Sequence, residues 1–364
     1  MKRVVIAAGG TGGHLFPGVA VAKVLRDQGH RVHFVVKKDR DSQSFLAREG
    51  FPSSAFYFEG IPRKLSGRIL SFPFTAAAAY FSARRILHRE NPDVVLGMGG
   101  YISVPVGLAA VGRGVRLVVH EQNVRAGLAN RFLSRWAGAV ATSFQSTERL
   151  SPRAGKILWT GLPLRDTLGS CDPEESRRSL GLDPDAFTLL LFGGSQGARR
   201  LNERFLEVVK ILSREKPGWQ YIHLTGQADE DVARRVYADL ACKAHVQAFS
   251  SEMPTVYSAA DFIVARSGAN TVMEIQRMGR EALLVPFPHA TDDHQTANAR
   301  ILEQTGQARV LKEQELSVEN FLDVLRNLPE RDVLRETNQK RLTLGMTDSG
   351  AAARRVAELV LEVK

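Results

Sequence analysis

Two glycine-rich stretches stand where a short apolar run gives way to a helical pattern, GGTGGH at residues 9–14 and GGSQGA at residues 193–198. Glycines at such a junction let the backbone turn tightly, approach a ligand closely and expose the following helix's unpaired N–H groups, a combination that suits phosphate. Neither stretch has the G-x-G-x-x-G spacing of a dinucleotide loop, and Val36 is followed by Lys37 and Lys38 where a ribose-binding acid would stand. NAD is therefore disfavoured. Four further polar clusters follow apolar runs: GMGGYIS (97–103), HEQNVRAGLANR (120–131), ARSGANTVMEI (265–275) and PFPHATDDHQTANA (286–299).

The elements that must carry these clusters alternate in type. RVVIAA (3–8) reads as a strand, residues 17–28 as a helix with Pro17 in its first turn and Gly29 at its end, and RVHFVV (31–36) as the next strand. The second half repeats the device, with a strand at 188–192, the second glycine loop, and a helix from residue 199. Further strands are expected at 93–97, 115–119, 220–224, 261–265 and 282–286, so both halves read as doubly wound parallel α/β units joined near residues 161–172. Ligands of such sheets bind outside the carboxyl ends of the strands. Polar clusters at that edge in both halves imply a cleft between two domains. The last segment, 349–363, sets Val356, Leu359, Val360 and Val363 on one helical face, which could pack on either domain.

The chain has 364 residues, enough for two domains, and carries a net charge of +10. Residues 1–161 hold 23 Lys/Arg against 9 Asp/Glu, whereas residues 162–364 hold 26 against 30. A basic half beside a mildly acidic one points to an anionic partner for the first half: nucleic acid, a membrane surface or a phosphorylated substrate. Cys171 and Cys242 are the two cysteines, far apart and in no metal or redox spacing, which suits a reducing compartment. No apolar run approaches the roughly 20 residues of a spanning helix. The N-terminus turns glycine-rich too soon for a signal peptide. The expectation is a cytoplasmic enzyme.

Taken in order, GGTGGH, GMGGY, HEQN with AGL-x-N, GGSQGAR, RSGA-x-T-x-x-E and DDHQ resemble the MurG family of N-acetylglucosaminyltransferases over residues 3 to about 300. The resemblance implies a GT-B fold, with two Rossmann-like domains facing across a cleft and the final helix crossing back to the first. Residues 1–161 with about 344–364 would form the acceptor and membrane-facing domain, and residues 162–343 the UDP-sugar domain. The implied reaction is inverting transfer of N-acetylglucosamine from UDP-N-acetylglucosamine to the 4-hydroxyl of MurNAc in undecaprenyl-pyrophosphoryl-MurNAc-pentapeptide, a step of peptidoglycan synthesis. No cofactor or metal is implied.

The resemblance also distributes roles. Glu274 would accept hydrogen bonds from the ribose hydroxyls, with Ala269, Asn270 and Thr271 of the same motif beside it. Ser195 and Gln196 of the second glycine loop would hold the diphosphate, and Arg165 would neutralise leaving-group charge. His294 and Gln295 would reach the donor sugar, and Phe249 and Ser250 take the uracil side by order. In the first domain Thr11, Gly12 and Gly13 would meet the acceptor pyrophosphate or donor sugar, Asn123 the N-acetylglucosamine, and Tyr101, His120, Glu121 and Asn130 would line the same edge. An inverting displacement needs a base for the attacking hydroxyl. His14 is the first candidate, because imidazole titrates near neutrality; Glu121 and His120 compete with it. The alternative for His14 is a loop histidine bonded to backbone or pyrophosphate. The chain departs from the family pattern at Leu162, where asparagine usually precedes Pro163, and at Arg280-Glu281, expected to be a surface change.

Residues 61–88 combine Ile69, Leu70, Phe72, Phe74, Tyr80 and Phe81 with Arg63, Lys64, Arg68, Arg84 and Arg85. They suit docking on an anionic membrane surface at the cytoplasmic face of the bacterial inner membrane, unless the aromatics are core. The competing readings are another GT-B enzyme using UDP-N-acetylglucosamine, such as a 2-epimerase or lipid glycosyltransferase, and a basic nucleic-acid-binding module. No aromatic-basic RNA motif or helix-turn-helix pattern supports the latter, so nucleic acid is not expected as a partner. Other cell-wall proteins remain possible partners.

Overall fold

The computed structural model describes the chain except residues 10–11, 61–67, 152–154, 165–167, 169–170, 195–196, 241, 346–349 and 364. Thr11, Arg63, Lys64, Arg165, Ser195 and Gln196 lie outside the described residues. The chain forms two units, Met1–Asp166 with Ser349–Lys364, and Thr167–Asp348.

The first unit begins β1 (Arg3–Ala8), α1 (Gly12–Asp27), β2 (Arg31–Lys37), α2 (Arg40–Arg48), β3 (Ser53–Phe56) and α3 (Arg68–Glu90). It continues β4 (Val94–Gly97), α4 (Ser103–Val111), β5 (Arg116–Glu121), α5 (Leu128–Leu133), β6 (Ala139–Thr142) and β7 (Lys156–Trp159). The second runs α6 (Pro173–Ser179), β8 (Phe187–Phe192), α7 (Arg199–Glu215), β9 (Trp219–Leu224), α8 (Glu230–Asp239), β10 (Ala244–Gln247), α9 (Met253–Ala259) and β11 (Phe262–Ala265). It ends α10 (Ala269–Arg277), β12 (Glu281–Leu284), α11 (His294–Gln304), β13 (Ala308–Val310), α12 (Val318–Arg326) and α13 (Arg331–Gly345). Helix α14 (Ala351–Glu362) returns to the first unit.

The first sheet has the order β3-β2-β1-β4-β5-β6-β7 and the second β10-β9-β8-β11-β12-β13, with every paired strand parallel. Both are doubly wound Rossmann-like sheets whose order reverses beside the first strand, between β1 and β4 and between β8 and β11. Period-two alternation gives the central strands two buried faces, whereas β7 at the sheet edge is exposed along its length. In β1, Val4, Ile6 and Ala8 join the core with Leu15 and Val19 of α1, while Val5 and Ala7 join the core under Ala79, Ala83 and Val106 of α3 and α4. Val356, Val360 and Val363 complete the first of these cores, so the terminal helix packs on α1. In the second unit Leu189 and Leu191 of β8 pack with Leu201 and Phe205 of α7 and Phe321 of α12.

Several expectations are corrected by packing. Helix α1 starts at Gly12, not at residue 17, and takes the last glycines of the first loop into its opening turn. Strand β5 runs through His120 and Glu121, because both side chains find protein partners that permit their burial. The short strands β3, β6, β7, β10 and β13 lie outside the expected runs. Arg280 is no surface change: it is 8% exposed and donates to the carbonyls of Tyr257 and Ser258. Burial lowers its pKa to about 10. Leu162 is buried as well.

Candidate active site

In the first unit the candidate residues gather where β1, β4 and β5 end. The loops after β1 and β4 touch backbone to backbone, with Gly9 N–H donating to Gly99 O at 3.1 Å. A Cβ on Gly100, whose φ is +75°, would come within 2.8 Å of Gly9 Cα, so glycine is required by both conformation and space. Gly12 and Gly13 open α1, where the first N–H groups of a helix have no partner within it. His14 follows on the same turn, half-buried.

A hydrogen-bonded chain runs inward from it. His14 Nδ1 lies 3.1 Å from Gln122 Oε1. Gln122 Nε2 lies 2.7 Å from Met98 O, 3.2 Å from His120 O and 3.1 Å from His120 Nδ1. His120 Nε2 lies 3.3 Å from Gly161 O. His120 is fully buried, and burial pushes its pKa down to about 4, against the raising effect of the Gly161 carbonyl and with help from His14. It is neutral at physiological pH.

Glu121 is 1% exposed. Its Oε1 accepts from the Asn123 backbone N–H (2.8 Å) and Asn123 Nδ2 (3.0 Å); its Oε2 accepts from Gly127 N–H (3.0 Å) and Asn130 Nδ2 (2.8 Å). Four donors match the lone-pair capacity of a carboxylate. Asn130 is 2% exposed and also donates to His120 O. His120, Glu121 and Asn130 therefore shape the loop from inside it, whereas His14, Gly13, Asn123 and Tyr101 are the candidates with surface at this edge.

The second unit repeats the arrangement. Gly194 and Gly197 have φ of +95° and +75°, and a Cβ at Gly197 would meet Thr225 O at 2.4 Å. Ser267, after β11, donates from Oγ to Gln295 O, and Gln295 Oε1 accepts from Phe287 N–H at 2.9 Å. These two bonds clip the loop after β12 to the start of α10. His294 Nδ1 lies 2.8 Å from Thr291 O, so Nδ1 is the protonated nitrogen of the neutral ring. Ala269, Asn270 and Thr271 form the first turn of α10, and one turn on Glu274 accepts a 2.8 Å hydrogen bond from the buried Tyr257 hydroxyl. Ser250 is buried, its Oγ accepting from Glu252 N–H, and Phe249 is exposed.

The reading of the residues missed Gln122 and Tyr257. Gln122 sits inside HEQN, where the charged neighbours draw attention; Tyr257 lies in a segment with no motif at all.

Residues 4–142 match the N-terminal domain of glycosyltransferase family 28, and residues 188–354 its C-terminal domain. Among curated proteins the chain is 37% identical over 328 residues to the UDP-N-acetylglucosamine–N-acetylmuramyl-(pentapeptide) pyrophosphoryl-undecaprenol N-acetylglucosamine transferase of Hahella chejuensis, covering 90% of this chain and 89% of that one. It is 38% identical to the protein of the same name from Burkholderia thailandensis, covering 99% and 96%. Among solved structures, Acinetobacter baumannii MurG superposes with a TM-score of 0.77 at 32% identity, over the whole of both chains. A UDP-GlcNAc 2-epimerase from Neisseria meningitidis shares the fold with a TM-score of 0.66 at 14% identity.

Proposed function

The chain belongs to glycosyltransferase family 28, and from that premise we infer the activity and assign its residues. The protein is an N-acetylglucosaminyltransferase of peptidoglycan synthesis: it moves N-acetylglucosamine from UDP-N-acetylglucosamine to the MurNAc of an undecaprenyl-pyrophosphoryl-linked pentapeptide. The first unit is assigned to the lipid-linked acceptor and the second to the UDP-sugar.

The base is His14. The observation that carries this is the state of its competitors: Glu121 has both oxygens committed to four N–H donors, and His120 is sealed inside the unit. Neither can approach a substrate hydroxyl, whereas His14 stands half-buried on the opening turn of α1. His14 takes the proton from the MurNAc 4-hydroxyl as that oxygen attacks the anomeric carbon and UDP departs. Glu121, with Asn130, is reassigned from base to anchor, holding Asn123 and Gly127 in place. On the donor side Glu274 accepts from the ribose hydroxyls, Gln295 and His294 address the sugar, and the loop at 193–198 receives the diphosphate.

The enzyme is assigned to the cytoplasmic face of the membrane as a peripheral protein. Leu70, Phe74 and Phe81 of α3 are 81%, 78% and 64% exposed, and Arg84 and Arg85 are exposed on the same helix. No helix among the described residues is long and apolar enough to cross a membrane. Phe72 and Tyr80 instead pack against the core.

Transfer from labelled UDP-N-acetylglucosamine to a short-chain lipid-linked acceptor is the deciding assay. With both substrates saturating, His14→Ala is expected to lower kcat about 10²–10⁴-fold. Wild-type turnover by that variant would overturn the base assignment. Failure of the native protein both to transfer and to bind the nucleotide would overturn the reading as a whole.

A further inference from the structure

We propose that Gln122 is a positioning residue that dictates which nitrogen of His14 carries the proton. The inference rests on the reading of His14 as base. An amide side chain can face either way, so its orientation has to come from its neighbours. Here the neighbours decide it. The Gln122 nitrogen lies 2.7 Å from Met98 O and 3.2 Å from His120 O, two carbonyl oxygens that accept and never donate. That end must be the NH2 group, and Oε1 must be the atom facing His14 Nδ1 at 3.1 Å.

An amide oxygen only accepts, so Nδ1 of the neutral His14 must hold the hydrogen. The basic lone pair then sits on Nε2, the nitrogen away from Gln122. His120 extends the same logic one step inward. Its Nε2 faces Gly161 O, another pure acceptor, so Nε2 is protonated and Nδ1 accepts the Gln122 N–H that it shares with His120 O, the second N–H going to Met98 O. Gln122 is 2% and His120 0% exposed, so bulk water has little part in the chain. Each member has one consistent polarity, set at the far end by backbone carbonyls that cannot ionise. Gln122 thus holds the place that a carboxylate takes behind a catalytic histidine, as an uncharged orienting acceptor.

The experiment uses the full-length protein with selectively 15N-labelled histidine and the transfer assay at a series of pH values. In the wild type the His14 imidazole is expected to show Nδ1–H with a bare-type Nε2 resonance. Gln122→Met removes the acceptor: kcat should fall about 10–10³-fold, with the KM for UDP-N-acetylglucosamine unchanged and a mixed tautomer at His14. Gln122→Glu restores an acceptor and adds charge beside the ring. It should recover part of kcat and move the acidic limb of the kcat profile to higher pH, a displacement that a merely structural role would not produce. An Nε2–H tautomer in the wild type overturns the proposal even if no variant folds. Wild-type kcat and pH profile in Gln122→Met overturn it too. The base reading fails separately, by full turnover in His14→Ala.

Discussion

The Tyr257 hydroxyl donates to Glu274 Oε2 at 2.8 Å, joining α9 to α10 behind the carboxylate assigned to the ribose. Tyr257 is fully buried and packs edge-on against Phe192 at the end of β8, so its hydroxyl has a fixed position. The bond selects one carboxylate orientation before any nucleotide arrives. Losing that bond loosens the carboxylate, which binding must then order more fully. Tyr257→Phe is expected to raise the Kd for UDP about 3–10-fold, and Glu274→Ala about 10–100-fold, in line with hydrogen bonds to a charged group. Calorimetric titration with UDP checks both, and an unchanged KM for the lipid acceptor separates donor binding from general damage.

Glu121 makes a sharper test because its two possible roles predict different losses. Deleting the anchor in Glu121→Ala strands four N–H donors, and a loss of about 3–5 kcal/mol is expected from breaking a buried charged network on one side. Urea unfolding would measure it. In Glu121→Gln, stability and activity should fall together. A variant as stable as wild type that has lost 10²–10⁴-fold in kcat at constant KM, the usual signature of a missing base, would return Glu121 to that role.

Acid sensitivity follows from two buried imidazoles. Burial lowers the pKa of His120 to about 4 and that of His223 to about 3, from an ordinary 6.5. The unfolded chain takes up protons at these positions below 6.5 while the native protein does not. Their contribution to stability is therefore complete above pH 6.5 and is lost as the pH falls towards 4 and 3. Each accounts for of order 3–5 kcal/mol over that window. Thermal melts between pH 7.5 and 4.5 should show a falling Tm, with a flatter slope in His223→Gln.

A second buried network lies beneath the other end of the second sheet. Asp261, 1% exposed, accepts from Arg177 Nη2 (2.8 Å), Arg335 Nε (2.9 Å) and the Thr188 N–H (2.8 Å). It is the common counter-ion of helices α6 and α13. Asp261→Asn should cost about 3–5 kcal/mol, since the buried Arg177 would keep its charge and lose its partner. Denaturant midpoints provide the check, with UDP affinity changing far less than stability.

Membrane docking separates residues that look alike in sequence. Flotation on anionic liposomes should be lost in a Phe74/Phe81/Arg84/Arg85 quadruple variant, each arginine contributing about 1 kcal/mol. Phe72 packs on Phe58 with ring centroids 6.3 Å apart, so Phe72→Ser should lower Tm and leave flotation intact. Equal binding by the quadruple variant and the wild type would remove α3 as the docking surface.

Much of the fold was legible because its signals are local. The runs 93–97 and 188–192 are strands, and the glycines after them are needed where Gly100 and Gly197 adopt positive φ against neighbouring backbone. Short strands such as β6 and β13 were not legible, because they draw their identity from the strands beside them.

The charge imbalance, the paired strand–glycine–helix starts and the polar clusters at strand ends were determined by sequence alone, since periodicity and backbone freedom belong to a residue and its near neighbours. Which of three candidate proton acceptors keeps surface at the sheet edge was decided only in three dimensions. His14 and Gln122 are 108 positions apart, and His120 and Gly161 are 41 apart. Arg280 looked like a surface residue until Tyr257 and Ser258 closed over it. Burial and the choice of hydrogen-bond partner set protonation, tautomer and access, and both are properties of the folded neighbourhood rather than of any stretch of chain.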